Sequence, residues 1–219
     1  EASGLLPSRE WKRKTLNQPW FPGETLNTGI GQGTFLVTPL QLASSTGALS
    51  QNGLRYRPHL VRTVEFGYSG NQRQIPLQKR ADSGIAKSFN WQQVHNGLKN
   101  VVHGLRGTAN GINRGLQFKV AGKTGTAQVF GIAQDAEYDE ENVIRKLRDH
   151  ALFMSYAPAD DPQIAVAVII ENGEHGSSVA APIARKVLDA YLLEPQKVEP
   201  DPGATIQANA DALNSSVEN

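Results

Sequence analysis

There is no cysteine among the 219 residues of this chain, which excludes a disulfide scaffold, thiolate metal clusters and a cysteine nucleophile. Long apolar runs are missing too. The longest is Ile164–Ile170, seven residues, where a membrane-spanning helix needs about 20. Neither sign of charge dominates: 22 Lys+Arg stand against 21 Asp+Glu, a net charge of +1. No overall field therefore marks a nucleic-acid or polyanion binder. The first fourteen residues, EASGLLPSREWKRK, contain neither an apolar signal core nor a small-residue cleavage site. The chain opens without Met and in loop-like sequence, as expected for a segment of a longer protein whose addressing segments lie outside it.

What is present suffices for one hydrophobic core or two small ones, with 39% apolar residues. Residues 1 to 28 read as an ordered but irregular stretch with Trp11, Trp20 and Phe21 scattered in it, and Trp11, Trp20 and Trp91 read as packing residues rather than sugar platforms. Thr38, Pro39 and Gln41 then form a capped helix start. Leu42, Thr46 and Leu49 share one face of that helix, and Gly53 stops it. A strand-like patch at Leu60–Phe66 leads into the turn Tyr68-Ser69-Gly70-Asn71. A second helix is predicted from about Asn90, with an apolar stripe of Trp91, Val94, Leu98 and Val101 or Val102, ending at Gly104. A strand is expected around Phe118–Phe130. The acid-rich residues 135 to 149 read as a solvated excursion.

Ala151–Tyr156 and Gln163–Glu171 read as strands, the second central and covered on both faces. The short turn between them, 157 to 162, makes the pair antiparallel, since a parallel connection needs a longer crossover. A last helix is capped by Ser177 or Ser178 and carries Val179, Ile183, Val187 and Tyr191 on one stripe. Residues 194 to 219 have the composition of a disordered tail. The expected class is α/β of the α+β type, an antiparallel sheet flanked by helices.

Two glycine-rich sites imitate phosphate loops and fail the pattern. Gly122-Lys123-Thr124 would need a glycine at 117, where Gln117 stands, and Gly29-x-Gly31-x-Gly33 has the wrong spacing and no preceding strand. Read as a strand, Lys123-Thr124-Gly125-Thr126 makes better sense. Thr124 and Thr126 project to one face and present two hydroxyls. Gly125 lets a ligand backbone approach closely, and Lys123 adds a positive charge. Such a ribbon suits an extended chain ending in a carboxylate, and an edge N–H can face a reacting carbonyl oxygen.

Several blocks around this ribbon occur in the order seen in one family. They are Pro19-Trp20, Gly23-Glu24-Thr25, Gly29-Ile30-Gly31-Gln32-Gly33, Arg106-Gly107-Thr108-Ala109, Val120 to Val129 around the Lys-Thr-Gly-Thr run, and His150 to Pro158 before an apolar strand. Over residues 1 to 193 the chain resembles the C-terminal part of the class B penicillin-binding transpeptidases, most closely those of Gram-negative cell elongation. The resemblance implies an incomplete fold of the penicillin-binding transpeptidase and serine β-lactamase type. It also implies part of a peptidoglycan D,D-transpeptidase that cross-links stem peptides by acyl transfer through a serine ester and is the target of β-lactams. Lys123 would then shape the electrostatics around the catalytic groups. Thr124, Gly125 and Thr126 would bind the terminal carboxylate of a D-alanyl-D-alanine stem peptide or of a β-lactam, and the Thr126 N–H would donate to the oxyanion.

The resemblance further implies no cofactor, a periplasmic domain held at the inner membrane by an anchor outside this chain, and partners among the elongation machinery, namely a glycan polymerase and shape proteins. The family's Ser-x-x-Lys nucleophile motif is absent, because no Lys has Ser three residues before it. Its second motif, Ser-x-Asn, finds three matches, at Ser50-Gln51-Asn52, Ser69-Gly70-Asn71 and Ser88-Phe89-Asn90. All three read as helix ends and turns. The segment should therefore supply one cleft wall without the nucleophile and be inactive alone. The alternatives are a serine β-lactamase fragment and a non-catalytic penicillin-recognising or scaffold module. His95 and His103, eight apart, and the scattered His59, His150 and His175 offer no pair at metal-ligand spacing.

Overall fold

A computed structural model of the chain describes residues 2–67, 70–129 and 144–193. The 194–219 tail and most of the acid-rich excursion lie outside the described residues. The elements run α1 (Arg9–Leu16), α2 (Pro22–Gly29), α3 (Pro39–Ser50), β1 (Arg55–Tyr56), β2 (Thr63–Glu65), β3 (Gln72–Gln74), β4 (Lys79–Arg80), α4 (Ser88–His103), β5 (Ala121–Ala127), β6 (His150–Ala157), β7 (Ile164–Ile170) and α5 (Ala181–Leu192).

The first 28 residues are more regular than their composition suggests. The Ser8 hydroxyl accepts the Trp11 N–H at 3.1 Å and starts α1, and Asn17 in the left-handed region ends it. Pro22 opens α2, and the Glu24 carboxylate reaches back to the Phe21 N–H at 2.7 Å. That carboxylate also meets the buried Lys12 ammonium at 2.6 Å, so one ion pair ties the two helices together. The hydrogen bond from Lys12 is the main reason the Glu24 carboxyl titrates below its ordinary range. Helix α3 starts as expected, with Thr38 and Gln41 bonded reciprocally to each other's backbone N–H. It stops where Gly53, at φ +91°, donates to the Ala48 carbonyl.

Between α3 and α4 the chain makes two small antiparallel ladders, β1 with β4 and β2 with β3. The main sheet is antiparallel in the order β5-β6-β7. On one face Phe153 and Ala157 of β6, with Val166 and Val168 of β7, pack against Ala181, Ala184 and Leu188 of α5. On the other, Tyr156 and Ala165 meet α4 through Leu98 and His95, and Gly47 of α3 sits against Ala165.

Three expectations need correction. Among the described residues the middle strand is β6, and β7 has a strand neighbour on one side only. Its continuous apolar run reflects helices on both faces, which the pattern registers without reporting the strand's rank in the sheet. Helix α4 begins at Ser88 and buries Trp91 and Val102, while Val94 is 41% exposed and His95 takes the inward place. Helix α5 follows a wide turn over Gly176–Ala180 rather than a serine cap. Its buried positions are Ala181, Ala184 and Leu188, with Ala180 buried just before it, and Ile183, Val187 and Tyr191 are each at least 40% exposed. Alanines let this helix approach the sheet closely, so small residues rather than the largest ones mark its inner face.

Candidate functional site

The expected strand around Phe118–Phe130 is realised over Ala121–Ala127, so Gly122-Lys123-Thr124 is extended backbone and not a phosphate loop. Among the described residues β5 pairs only with β6 and leaves its other edge open. Along that edge Lys123 and Thr126 are exposed, and Thr124 and Gly125 are half-buried. Register places Thr124 opposite Phe153 and Thr126 opposite Ala151, on the α5 side of the sheet. Lys123 and Gly125 lie opposite Met154 and Leu152, on the other side. Alternation thus separates the ammonium from the two hydroxyls, and only a ligand lying along the edge itself can reach both sets. The Lys123 ammonium donates to the Thr124 carbonyl at 2.6 Å.

Three supports hold this ribbon. At the end of α4, the His103 Nε2 accepts the N–H of the fully buried Val120 at 2.9 Å, which fixes where the strand begins. The loop after α4 brings Thr108 to Thr124, with their hydroxyl oxygens 3.1 Å apart. From the turn before α5, Gly176 lies directly over the strand: a Cβ there would sit 2.3 Å from the Leu152 carbonyl oxygen and 2.8 Å from that of Gly125. That turn is itself tied to the start of β6. The His150 Nδ1 accepts the Asn172 N–H, and Arg148 and Glu174 form an ion pair at 3.1 Å.

Of the three Ser-x-Asn matches, Ser50-Gln51-Asn52 ends α3 and Ser88-Phe89-Asn90 begins α4, both as local structure; Ser69 of the third lies outside the described residues. Asn52 nevertheless has a partner that its motif gave no hint of, because its Oδ1 lies 2.9 Å from the His95 Nε2. The other ring nitrogen of His95 is bonded to the Tyr156 hydroxyl at 2.5 Å. Burial, and secondly the charge on Asp160, push the Tyr156 phenol up to about 12. It stays protonated; because the Asn52 oxygen only accepts, the proton of the neutral ring sits on Nε2 and Nδ1 accepts from the phenol. Burial also lowers the His95 imidazole below its usual value, with Lys99 adding to the effect. This trio lies on the α3 and α4 side of the sheet, two registers from Lys123.

Three cavities of about 300 to 520 Å³ lie along α3 and the small ladders, lined by Ser44, Tyr56, Pro58, His59 and Leu77 among others. None is lined by residues 123 to 126. Sequence reasoning placed the ribbon and its exposure. It missed Thr108, His103 and Gly176 as supports; the Arg-Gly-Thr-Ala block was visible as a pattern, but nothing in it signalled which strand the loop would touch.

Residues 1–189 match the family model described as the penicillin binding protein transpeptidase domain. The chain is 42% identical over 192 residues to the peptidoglycan D,D-transpeptidase MrdA of Haemophilus influenzae, covering 88% of this chain and 29% of that protein. Among solved structures it is similar to Pseudomonas aeruginosa PBP2 in complex with WCK 5153, at 45% identity and a TM-score of 0.73, over 91% of this chain and 42% of that one. It is also similar to Helicobacter pylori PBP2 in its complex with MreC, at 30% identity and a TM-score of 0.68, over 89% and 32% of the two chains. The chain spans 29–31% of the length of the curated relatives it matches at 37% identity or more.

Proposed function

This chain belongs to the penicillin-binding protein transpeptidase family, and we propose that it is the C-terminal part, residues 1–193, of a peptidoglycan D,D-transpeptidase. The complete protein cross-links stem peptides through a serine ester. The donor peptide loses its terminal D-Ala as the serine oxygen bonds to the penultimate carbonyl carbon, and an amine of a neighbouring strand then displaces the serine. β-Lactams react as mimics of the donor. No Ser-x-x-Lys occurs in the chain, so the nucleophile comes from sequence outside it and the chain alone is inactive.

The observation that carries this reading is the open edge at Lys123–Thr126. A donor peptide lies along it as an added strand. The Thr124 and Thr126 hydroxyls bind the terminal carboxylate, Gly125 admits the peptide backbone, and Lys123 supplies positive potential beside the reacting groups. The Thr126 N–H donates to the developing oxyanion. The complete protein is periplasmic and anchored in the inner membrane, and it works with a glycan polymerase and shape proteins. The MreC complex of a relative favours the last point. A β-lactamase reading has less support, since the relatives named above are transpeptidases or penicillin-binding proteins.

Acylation of the full-length protein by a fluorescent penicillin tests the site. Lys123→Ala is expected to slow it by about 100-fold or more, the scale of losing one preorganised electrostatic group, with an unchanged melting temperature. Wild-type kinetics in a folded Lys123→Ala protein would remove the strand from the reaction.

A further inference from the structure

Thr124 is an imperfect carboxylate ligand by itself. Its hydroxyl has one proton and two lone pairs. A carboxylate only accepts, so the proton must point at the ligand, while solvent and neighbouring carbonyls compete to turn it elsewhere. In this structure the Thr124 oxygen has a protein partner, the Thr108 hydroxyl at 3.1 Å. With the Thr124 proton committed to a ligand, Thr108 must be the donor of that bond.

The loop that carries Thr108 is built to hold it there. The Ala109 N–H donates to the Val101 carbonyl at 2.9 Å, and Ala109 itself is buried. The Gly107 N–H donates to the Gly104 carbonyl at 2.9 Å, and the Asn110 side-chain amide donates to that same carbonyl at 3.0 Å. Gly107 lies so close to the end of α4 that a Cβ would stand 2.3 Å from the Val101 carbonyl oxygen. Thr108 is exposed and has little packing of its own. Its position is set by the backbone on either side, which leaves its hydroxyl free to act on Thr124.

We propose that Thr108 is a positioning residue for ligand carboxylate, donating to the Thr124 oxygen so that the Thr124 proton is directed at the ligand. This rests on the carboxylate role proposed above for Thr124. The chain Thr108 to Thr124 to carboxylate runs donor to acceptor throughout, and each bond polarises the next. With Thr108 as the donor, a Thr124 lone pair is filled and the Thr124 proton is left for the ligand.

The test uses full-length protein and two acylating agents, a penicillin with its free carboxylate and the same penicillin as its methyl ester. Thr108→Val, close in shape but without the hydroxyl, is expected to slow acylation by the free acid roughly three- to tenfold, the range for one neutral hydrogen bond, and to leave the ester unaffected. Thr108→Ser is expected to restore the rate, and all variants should melt like the wild type. Equal slowing with both agents, or a Thr108→Ser protein as slow as Thr108→Val, would show a merely structural role and overturn the proposal. Thr124→Val separates the two readings. If it slows the free acid and Thr108→Val does not, Thr108 has no part and the Thr124 role stands; if Thr124→Val is also without effect, the carboxylate role falls and this proposal with it.

Discussion

At the scale of single residues, His95 has the most sharply defined protonation state. The Asn52 oxygen can only accept, so the Nε2 facing it carries the ring's proton, and the other nitrogen accepts from the Tyr156 hydroxyl, which keeps its proton to about pH 12. The neutral ring is the form this geometry suits. Burial lowers its folded value below the 6.5 of a free imidazole. The unfolded chain therefore takes up this proton first as pH falls, and the stability it represents is complete above about pH 6.5 and is lost as pH drops from there through the lowered folded value. The expected outcome is a melting temperature that declines on acidification from pH 7, with a smaller decline in His95→Gln. Parallel curves for the two proteins would place the titration elsewhere. Removing the phenol hydroxyl in Tyr156→Phe is expected to cost about 1 kcal/mol in chemical denaturation, since it takes the partner from a half-buried ring nitrogen.

Among the elements, what could be read in the sequence followed the physics of each signal. Capping is local chemistry, so Thr38, Pro39, Gln41 and Gly53 marked both ends of α3 correctly. The 157–162 turn likewise made β6 and β7 antiparallel. Burial is not local. A stripe of Val179, Ile183, Val187 and Tyr191 is as good a helical pattern as Ala180, Ala184 and Leu188, and only the closeness of the sheet selects the alanines. The turn over Gly176–Ala180 follows the same rule. Its glycine is required by the Leu152 and Gly125 carbonyls beneath it, atoms far away in sequence. Gly176→Ala is expected to destabilise the fold by about 1–3 kcal/mol, the usual cost of forcing atoms into a packed site, because backbone oxygens cannot rotate away. Thermal melting checks this, and acylation of the full-length variant should slow as β5 is displaced. An unchanged melting temperature would mean that the turn yields without cost.

For the whole molecule, the extended backbone at 123–126 was legible because the alternation in Lys-Thr-Gly-Thr suits a strand, whereas its supports come from three separate stretches that meet only in the fold. The nucleophile motif is simply not in the sequence, so the 219-residue chain, expressed alone, is expected to remain unlabelled by fluorescent penicillin under conditions that label the full-length protein. A covalent adduct on the isolated chain, located by mass spectrometry, would contradict this and identify a nucleophile that the sequence pattern does not reveal.

The edge that β5 leaves open has a second consequence. Among the described residues no strand pairs with that edge, and its outward-facing backbone groups can accept an extended chain of suitable register, another molecule of the same protein included. A cation at Lys123 and a side-chain-free position at Gly125 make stacking of copies unfavourable, since like charges would face one another and the glycine offers nothing to interdigitate. The features that suit this edge to a passing peptide therefore also protect the protein from self-assembly into fibrils.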